Sequence, residues 1–336
     1  MAKKRRKAPR ARKKRVRKAR ALRPTIGFLY SGSKNSLRTQ FTAFHVGLKN
    51  IAFVNGQNVD IIYRSAEDNY TQHDTHVLDT IVDQFVGRPV QVIVAAGGPI
   101  SALRARHGTR TIPIVFTTVA DPIGYGLVDR IPNTTTNATG TAGLTTELDA
   151  TRLGLLKQLL PNLSQGTVGV LVNPNRPKFD DQWRALVLAA NAMGLTLADP
   201  PAKAGNARDL HAAFQQLRGV TALLVTADPF FNSQRKEVLK EAKQLGVPAI
   251  YQWREFAEEG GLMSYGTSIV EAYELAGEYV GRILRDHLQP PQLPPVHVIY
   301  PSELNPVINL GTAERLNPPL DIPYPLLARS ELIGDD

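Results

Sequence analysis

From residue 24 onward the chain alternates short apolar runs with stretches whose apolar residues recur every three or four positions. Thr25-Ile26-Gly27-Phe28-Leu29-Tyr30 reads as a buried strand. Leu37, Phe41, Phe44, Leu48 and Ile51 then fall on one face of a helix that Asn55-Gly56 ends. Val59 to Arg64 is a second strand, and Val77, Leu78, Ile81, Val82 and Phe85 mark the next helix. Val90 to Ala95 is a third strand, stopped by Gly97-Gly98-Pro99; a helix to about Arg106 and a strand from Ile112 to Phe116 follow. A Thr/Asn/Gly-rich stretch, Asn133 to Thr146, separates this series from a second one. The second series runs through a helix with Leu153, Leu156, Leu159 and Leu160, then strands Val168–Val172, Leu195–Ala198, Ala222–Thr226 and Pro248–Tyr251. Between those strands lie helices Phe179–Met193, Ala207–Leu217 and Ser233–Leu245. The chain closes with a strand at Gly261–Tyr265, a helix at Val270–Leu284, a proline-rich passage at Pro290–Pro295, and short apolar runs at Val296–Tyr300 and Val307–Leu310.

Strands alternating with helices imply parallel sheets covered on both faces. Two such series predict an α/β protein of two Rossmann-like, doubly wound parallel-sheet lobes. The late strand–helix unit and its return segment imply more than one crossing between lobes, and such crossings form a hinge. The expected division is residues 24–141 plus 261–287 in the first lobe and 142–260 plus 288–332 in the second, with hinge crossings near 140–146, 257–261 and 288–294.

Charge sets residues 1–23 apart. They hold 14 of the 40 Lys+Arg residues and no acid, so the remainder carries 26 basic against 30 acidic groups, a net of −4 beneath an overall +10. The globular part is therefore a poor nucleic-acid surface by charge alone. The arm is expected to be disordered and solvated; in the alternative reading it contacts nucleic acid or an anionic membrane. Val16, Ala19, Ala21 and Leu22 are interrupted by Arg and Lys, so no secretory apolar core is readable. No apolar run is long enough to span a bilayer. The chain has no cysteine, which excludes disulfides, thiol nucleophiles and thiolate metal sites. His73 and His76 are close in sequence but lack a third ligand, and neither a Ser-His-Asp arrangement nor a P-loop is readable. No enzyme, metal or cofactor is expected.

In open parallel sheets, ligands bind beyond the carboxyl ends of the strands. That rule selects Ser31 and Ser33, the turn Gly98-Pro99-Ile100, Thr118 and Asp121 in the first lobe. In the second it selects Asn173, Asn175, Asp228, Phe230, Tyr251 and Trp253. Gly97-Gly98-Pro99 ends a strand and opens a helix, so its backbone N–H groups are suited to an anion. Asp121 and Asp228 each precede Pro, which suits either a turn or a partner for a ligand ammonium. Phe230, Tyr251 and Trp253 are candidates to stack on an apolar or aromatic solute.

Several segments in this order resemble one family. They are Thr111-Ile112-Pro113-Ile114-Val115-Phe116, Val119-Ala120-Asp121-Pro122-Ile123-Gly124-Tyr125-Gly126-Leu127-Val128, Glu258-Glu259-Gly260-Gly261-Leu262-Met263-Ser264-Tyr265-Gly266, and Leu304-Asn305-Pro306-Val307-Ile308-Asn309-Leu310. The chain is similar, from residue 24 to about 332, to the substrate-binding proteins of ABC transporters, in particular the tryptophan- and tyrosine-type binding proteins. The resemblance implies a type I periplasmic-binding-protein fold with three crossings, and one solute held between the lobes by Gly98, Pro99, Ile100, Asp121, Asn173 and Asp228. It implies an apolar or aromatic amino acid, or a related carboxylate, as the solute. It also implies an ABC permease as partner and a periplasmic location; a monomer is expected. The alternative is a cytoplasmic small-molecule-binding or regulatory protein of the same fold, with the basic arm as its contact to nucleic acid or anionic membrane.

Deleting residues 1–23 is expected to move the thermal midpoint by no more than about one or two degrees, because a segment without an apolar face cannot offset its own ordering entropy. Calorimetry of the truncated and full chains measures this, and a large loss of stability would mean that the arm docks on the fold.

Overall fold

Val92–Ala96 and Ile114–Val119 are buried at every position, as strands covered on both faces must be. A computed structural model describes residues 23–334 except 72, 89, 144–146 and 300–304; residues 1–22 of the basic arm lie outside the described residues. The first passage through the chain gives β1 (Thr25–Tyr30), α1 (Arg38–Asn50), β2 (Asp60–Ser65), α2 (His76–Val86), β3 (Val92–Ala96), α3 (Pro99–Gly108), β4 (Ile114–Val119) and β5 (Ala138–Gly143). The second gives α4 (Glu147–Leu159), β6 (Thr167–Val172), α5 (Phe179–Ala192), β7 (Thr196–Leu197), β8 (Ala202–Lys203), α6 (Asp209–Gln216) and β9 (Ala222–Val225). It continues through α7 (Pro229–Ser233), α8 (Arg235–Leu245), β10 (Ala249–Tyr251), α9 (Arg254–Glu258) and β11 (Met263–Ser264). The chain ends with α10 (Ile269–Arg285), β12 (His297–Ile299), β13 (Val307–Asn309), α11 (Leu310–Arg315), α12 (Tyr324–Leu327) and β14 (Glu331–Ile333).

The first sheet has six strands in the order β12-β5-β4-β3-β1-β2, and its pairings are parallel. The second has eight, in the order β14-β13-β11-β10-β9-β6-β7 with β8 also on β6; only β13 runs antiparallel to its neighbour β11. Phe28 of β1 stands between Val94 and Tyr63, which fixes the central register of the first lobe. Helices cover both faces of each sheet. One apolar layer runs from α1 and α10 of the first lobe to Phe230, Phe231 and Trp253 of the second, so the lobes share a core boundary.

The two lobes and their multiple crossings follow the expected plan, but the expected boundaries need correction. Residues 261–264 do not join the first lobe, because β11 pairs with β10 and β13 in the second sheet. Residues 288–299 do not join the second lobe, because β12 pairs with β5 in the first. The crossings therefore fall after β5, at 265–268 and after β12. Gly260, at φ 103°, turns the chain from α9 into β11 within one lobe, and Pro290–Pro295 lies between α10 and β12 within the other. The turn-rich stretch 133–146 also contains a buried strand, β5, built of Ala, Thr and Gly. The helix expected at Ser233–Leu245 is present as α8, Arg235–Leu245, and a separate short helix, α7, which was not expected, precedes it.

α1 and α10 pack through glycines. A Cβ on Gly47 would overlap the Glu274 carbonyl oxygen, and one on Gly277 would overlap the Phe44 carbonyl oxygen. On Gly281 it would sit 2.7 Å from Ile51 Cβ. Helix propensity alone favours Gly→Ala in a helix by about 1 kcal/mol, yet here the backbones are too close for a methyl group. Gly277→Ala is expected to cost about 1–3 kcal/mol and to lower the melting temperature by several degrees. Gly154→Ala in α4 is the control, since its nearest neighbour would be Met193 Cε at 3.7 Å; calorimetry should find it neutral or slightly stabilising.

Candidate functional site

The carboxyl ends of both sheets face a cleft between the lobes. On the first-lobe side β3 runs into Gly97 and Gly98, both left-handed at φ 86° and 89°. The Ser31 hydroxyl donates to the Gly97 carbonyl at 2.7 Å, and Pro99 occupies the first turn of α3. No side chain caps α3 at Gly98. Its first N–H groups, near Ile100 and Ser101, thus retain their capacity for an anion. Ser101 is fully buried and its hydroxyl has no partner. Tyr273 of α10 stands behind this turn with the Thr117 side chain and the Gly97 backbone beside it; burial pushes its phenol up to about 12. Thr118 adopts φ 52° where the β4–β5 register shifts, and its N–H donates to Thr141 Oγ1 at 3.2 Å. A left-handed β-branched residue is an outlier of the kind that clusters at functional sites.

On the second-lobe side Asp228 caps α7. Its Oδ1 accepts from the Phe230 N–H at 2.9 Å and from Asn173 Nδ2 at 2.9 Å. Its Oδ2 lies 3.9 Å from Arg176, which also donates to the Ala227 carbonyl. Burial raises the Asp228 carboxyl above the usual range; Arg176, Asn173 and the Phe230 N–H oppose the rise. Behind it, fully buried Arg152 pairs with Asp149 and donates to the Tyr265 carbonyl at 2.7 Å, while Gln182 donates to Asp149 at 2.7 Å. These partners compensate the buried charges, as burial requires.

The lobes touch across the cleft. A Cβ on Gly98 would come within 2.8 Å of Pro229 Cγ, next to Asp228. Asp68 of the first lobe, left-handed at φ 58°, accepts at Oδ2 from Ser233 Oγ at 2.7 Å and Gln234 Nε2 at 3.0 Å. Its Oδ1 is buried without a partner, and burial raises its pKa to about 6. The Tyr70 phenol is raised further by burial, then by the nearby Asp228 and Asp68 carboxylates. At the rim Tyr125 donates to the Pro177 carbonyl at 2.9 Å, and Lys178 meets Asp121 at 3.4 Å with the Tyr125 ring below it. A concavity of about 360 Å³ opens there between Asp121 and Tyr125 on one side and Asp149, Arg176 and Lys178 on the other.

Ser31, Gly98, Pro99 and Ile100 in one lobe thus meet the Asn173–Asp228 pair of the other around the strand ends, while Thr118 is tied to Thr141. The other sequence candidates have different roles. Ser33 opens the 3₁₀ turn Lys34–Ser36 and accepts from Ser36. Asn175 bridges to the carbonyls of Gly205 at 3.0 Å and Tyr70 at 3.5 Å, across the lobes. Asp121 holds a turn through the Gly124 N–H at 2.8 Å and pairs with Lys178 at the rim. Phe230 packs on Phe231 in the core, with ring centroids 5.4 Å apart. Tyr251 is the clearest correction. Its ring stacks on Phe256 at 4.8 Å and lies under Gly261, lining a separate concavity of about 1600 Å³ on the flank of the second lobe. Trp253 stays at the lobe boundary. Asp68 and Tyr70 were within reach of the strand-end rule, since they follow β2. Tyr273, in mid-helix, gave no local signal. Among the described residues no group of three His, Asp or Glu side chains forms a metal site.

Comparison with known proteins agrees with this fold. The chain is 26% identical over 275 residues to a tyrosine-binding protein of Clostridioides difficile, covering 82% of this chain and 75% of that protein. A conserved domain protein of Vibrio cholerae superposes with a TM-score of 0.80 at 26% identity, over 93% of this chain and 99% of that one. The ABC domain of Streptococcus pneumonia in complex with L-Trp shares the fold, with a TM-score of 0.78 at 22% identity over 93% and 100% of the two chains. The family of ABC transporter substrate binding proteins, which are solute-binding components of importers and not enzymes, matches residues 26–325. With its two lobes closing a strand-end cleft across that whole span, the chain belongs to the ABC transporter substrate-binding protein family.

Proposed function

We propose that the cleft takes one aromatic or apolar amino acid, or a related aromatic carboxylate, for delivery to an ABC permease. The observation that carries this is a difference between two helix starts. α7 is capped from within by Asp228, whereas α3 begins at an uncapped glycine that touches Pro229 of the opposite lobe. A ligand carboxylate suits the start of α3, where N–H donors and the helix dipole converge. A ligand ammonium suits the carboxylates of Asp228 and Asp68, which approach from the two lobes. Relatives named for tyrosine and crystallised with L-Trp support this solute class.

The reading includes a monomer working outside the cytoplasmic membrane; among the described residues no helix is long and apolar enough to cross one. Residues 1–23 add a weak contact with anionic lipid or nucleic acid, since each Lys or Arg near an anionic bilayer contributes about 1 kcal/mol.

Titration calorimetry with the natural amino acids and with aromatic acids lacking an amine tests the assignment. Tight binding is expected for aromatic amino acids. Asp228→Asn should weaken them by about 1.5–3 kcal/mol, tenfold or more. The asparagine still caps α7 but removes a buried carboxylate from beside Arg176, so the fold should lose about 1–3 kcal/mol and remain folded. Equal affinity in both proteins would remove Asp228 from the site. Asp68 gives a pH-dependent outcome. Its pKa is about 6 in the folded protein, against 3.8 for an ordinary Asp. In that window the folded state holds a proton that the unfolded state has lost, so this group makes the fold less stable as pH rises from about 4 to about 6. Asp68→Asn is therefore expected to gain stability relative to wild type at about pH 7.5 and to lose that advantage near pH 4. Melting curves across this range report it, and a pH-independent difference would mean that Asp68 is not buried in solution.

A further inference from the structure

The end of β10 carries an unpaired polar group. Gln252 is 2% exposed, and both its amide oxygen and its amide nitrogen are buried without a partner. Among the described residues it is the only buried side-chain amide left with both atoms unpaired. The next residue, Trp253, is also 2% exposed, and its indole N–H is buried and unpaired. Buried polar atoms are ordinarily satisfied, and leaving them so is destabilising. Three such atoms on consecutive residues call for a specific partner.

Their position says where that partner sits. Gln252 directly follows β10, at the carboxyl end of the second sheet. A Cβ on Gly266 would lie 3.3 Å from Gln252 Cγ, so the side chain stands against the 265–268 crossing between the lobes. Trp253 belongs to the apolar layer that continues to Tyr30 and Tyr273 of the first lobe. Both residues thus border the cleft on the second-lobe side, whereas the helix start of α3 belongs to the first lobe.

The chemistry narrows what they recognise. The Gln252 oxygen needs a donor, while its NH₂ and the Trp253 N–H need an acceptor. A hydroxyl group is both at once, and one hydroxyl within reach of both residues satisfies an atom of each kind. A carboxylate would leave the Gln252 oxygen unpaired, and a bare hydrocarbon ring would leave all three atoms so. We infer that Gln252 and Trp253 are specificity determinants that read a hydroxyl on the solute's side chain, so that the cleft prefers a phenolic amino acid over its deoxy counterpart. This rests on the amino-acid reading of the cleft above.

The experiment compares tyrosine with phenylalanine by titration calorimetry on the wild type, Gln252→Leu and Trp253→Phe. Wild type should prefer tyrosine by at least about thirtyfold, since a site built to bond a hydroxyl strongly rejects the analogue lacking it. In Gln252→Leu the preference should fall to about threefold or less, mainly through weaker tyrosine binding, and Trp253→Phe should fall between the two. The ligand-free melting temperature of Gln252→Leu should rise or stay level, because an unsatisfied buried amide is removed. A fall in that temperature would mark Gln252 as a structural residue and overturn the inference. Equal binding of tyrosine and phenylalanine by wild type, or an undiminished preference in both variants, would overturn it as well while leaving the amino-acid cleft intact. If neither amino acid binds wild type, the cleft reading itself fails and takes the inference with it.

Discussion

The arrangement of the cleft depends on one close approach, between the backbone at Gly98 and the ring of Pro229 in the opposite lobe. Two successive left-handed residues turn the end of β3 into α3, and only glycine takes that conformation without steric cost. A side chain at Gly98 would push Pro229 away, and with it Asp228 and the start of α7. One tight turn thereby sets the orientation of α3, the spacing between the lobes and the position of the buried acid that α3 faces.

Around that contact the protein distributes its polar groups unevenly. In the second lobe the buried charges are held by neighbours: Asp149 by Arg152 and Gln182, and Asp228 by Asn173, Phe230 N–H and Arg176, which aim its carboxylate at the cleft. Along the interlobe surface the accounts are left open. Asp68 Oδ1, Ser101 Oγ, Gln252 and Trp253 Nε1 are buried and unpaired. The first set rigidifies a wall, and the second provides the complement of whatever the walls enclose.

The sequence made the fold legible because parallel strands buried on both faces are near-continuous apolar runs, and β1, β3, β4, β6 and β9 have that character. β5 escaped because Ala138–Gly143 fills its space with small residues. Gly140 is left-handed there, and a Cβ on it would overlap the Phe116 carbonyl oxygen. Lobe boundaries misled because the strongest chain breakers, Gly260-Gly261 and Pro290–Pro295, mark turns within a lobe, while the 265–268 crossing carries only the single Gly266. Asp228 and the Gly98 turn were visible from strand-end logic alone. Tyr251 was selected by the same logic, but a ring at a strand end can turn to either side of the sheet, and packing on Phe256 decided the side. The unpaired state of Gln252 is a property of its neighbours in space, which no local pattern encodes.

The order of elements along the chain has a consequence for how the molecule is made. α10 packs against α1 through Gly47 and Gly277, and β12 covers the edge of β5, yet both come after the whole of β6 to β11. During synthesis the first lobe therefore waits, with an open β5 edge and an uncovered face of α1, until the second lobe has been almost completely translated. The second lobe in turn is finished only by β13 and β14. Contacts so distant in sequence slow folding and prolong the exposure of unpaired edges. Assembly of this chain is thus a nearly single late event, in which both halves are completed within the last seventy or so residues, and neither half is an independent folding unit that could be cut out at the hinge.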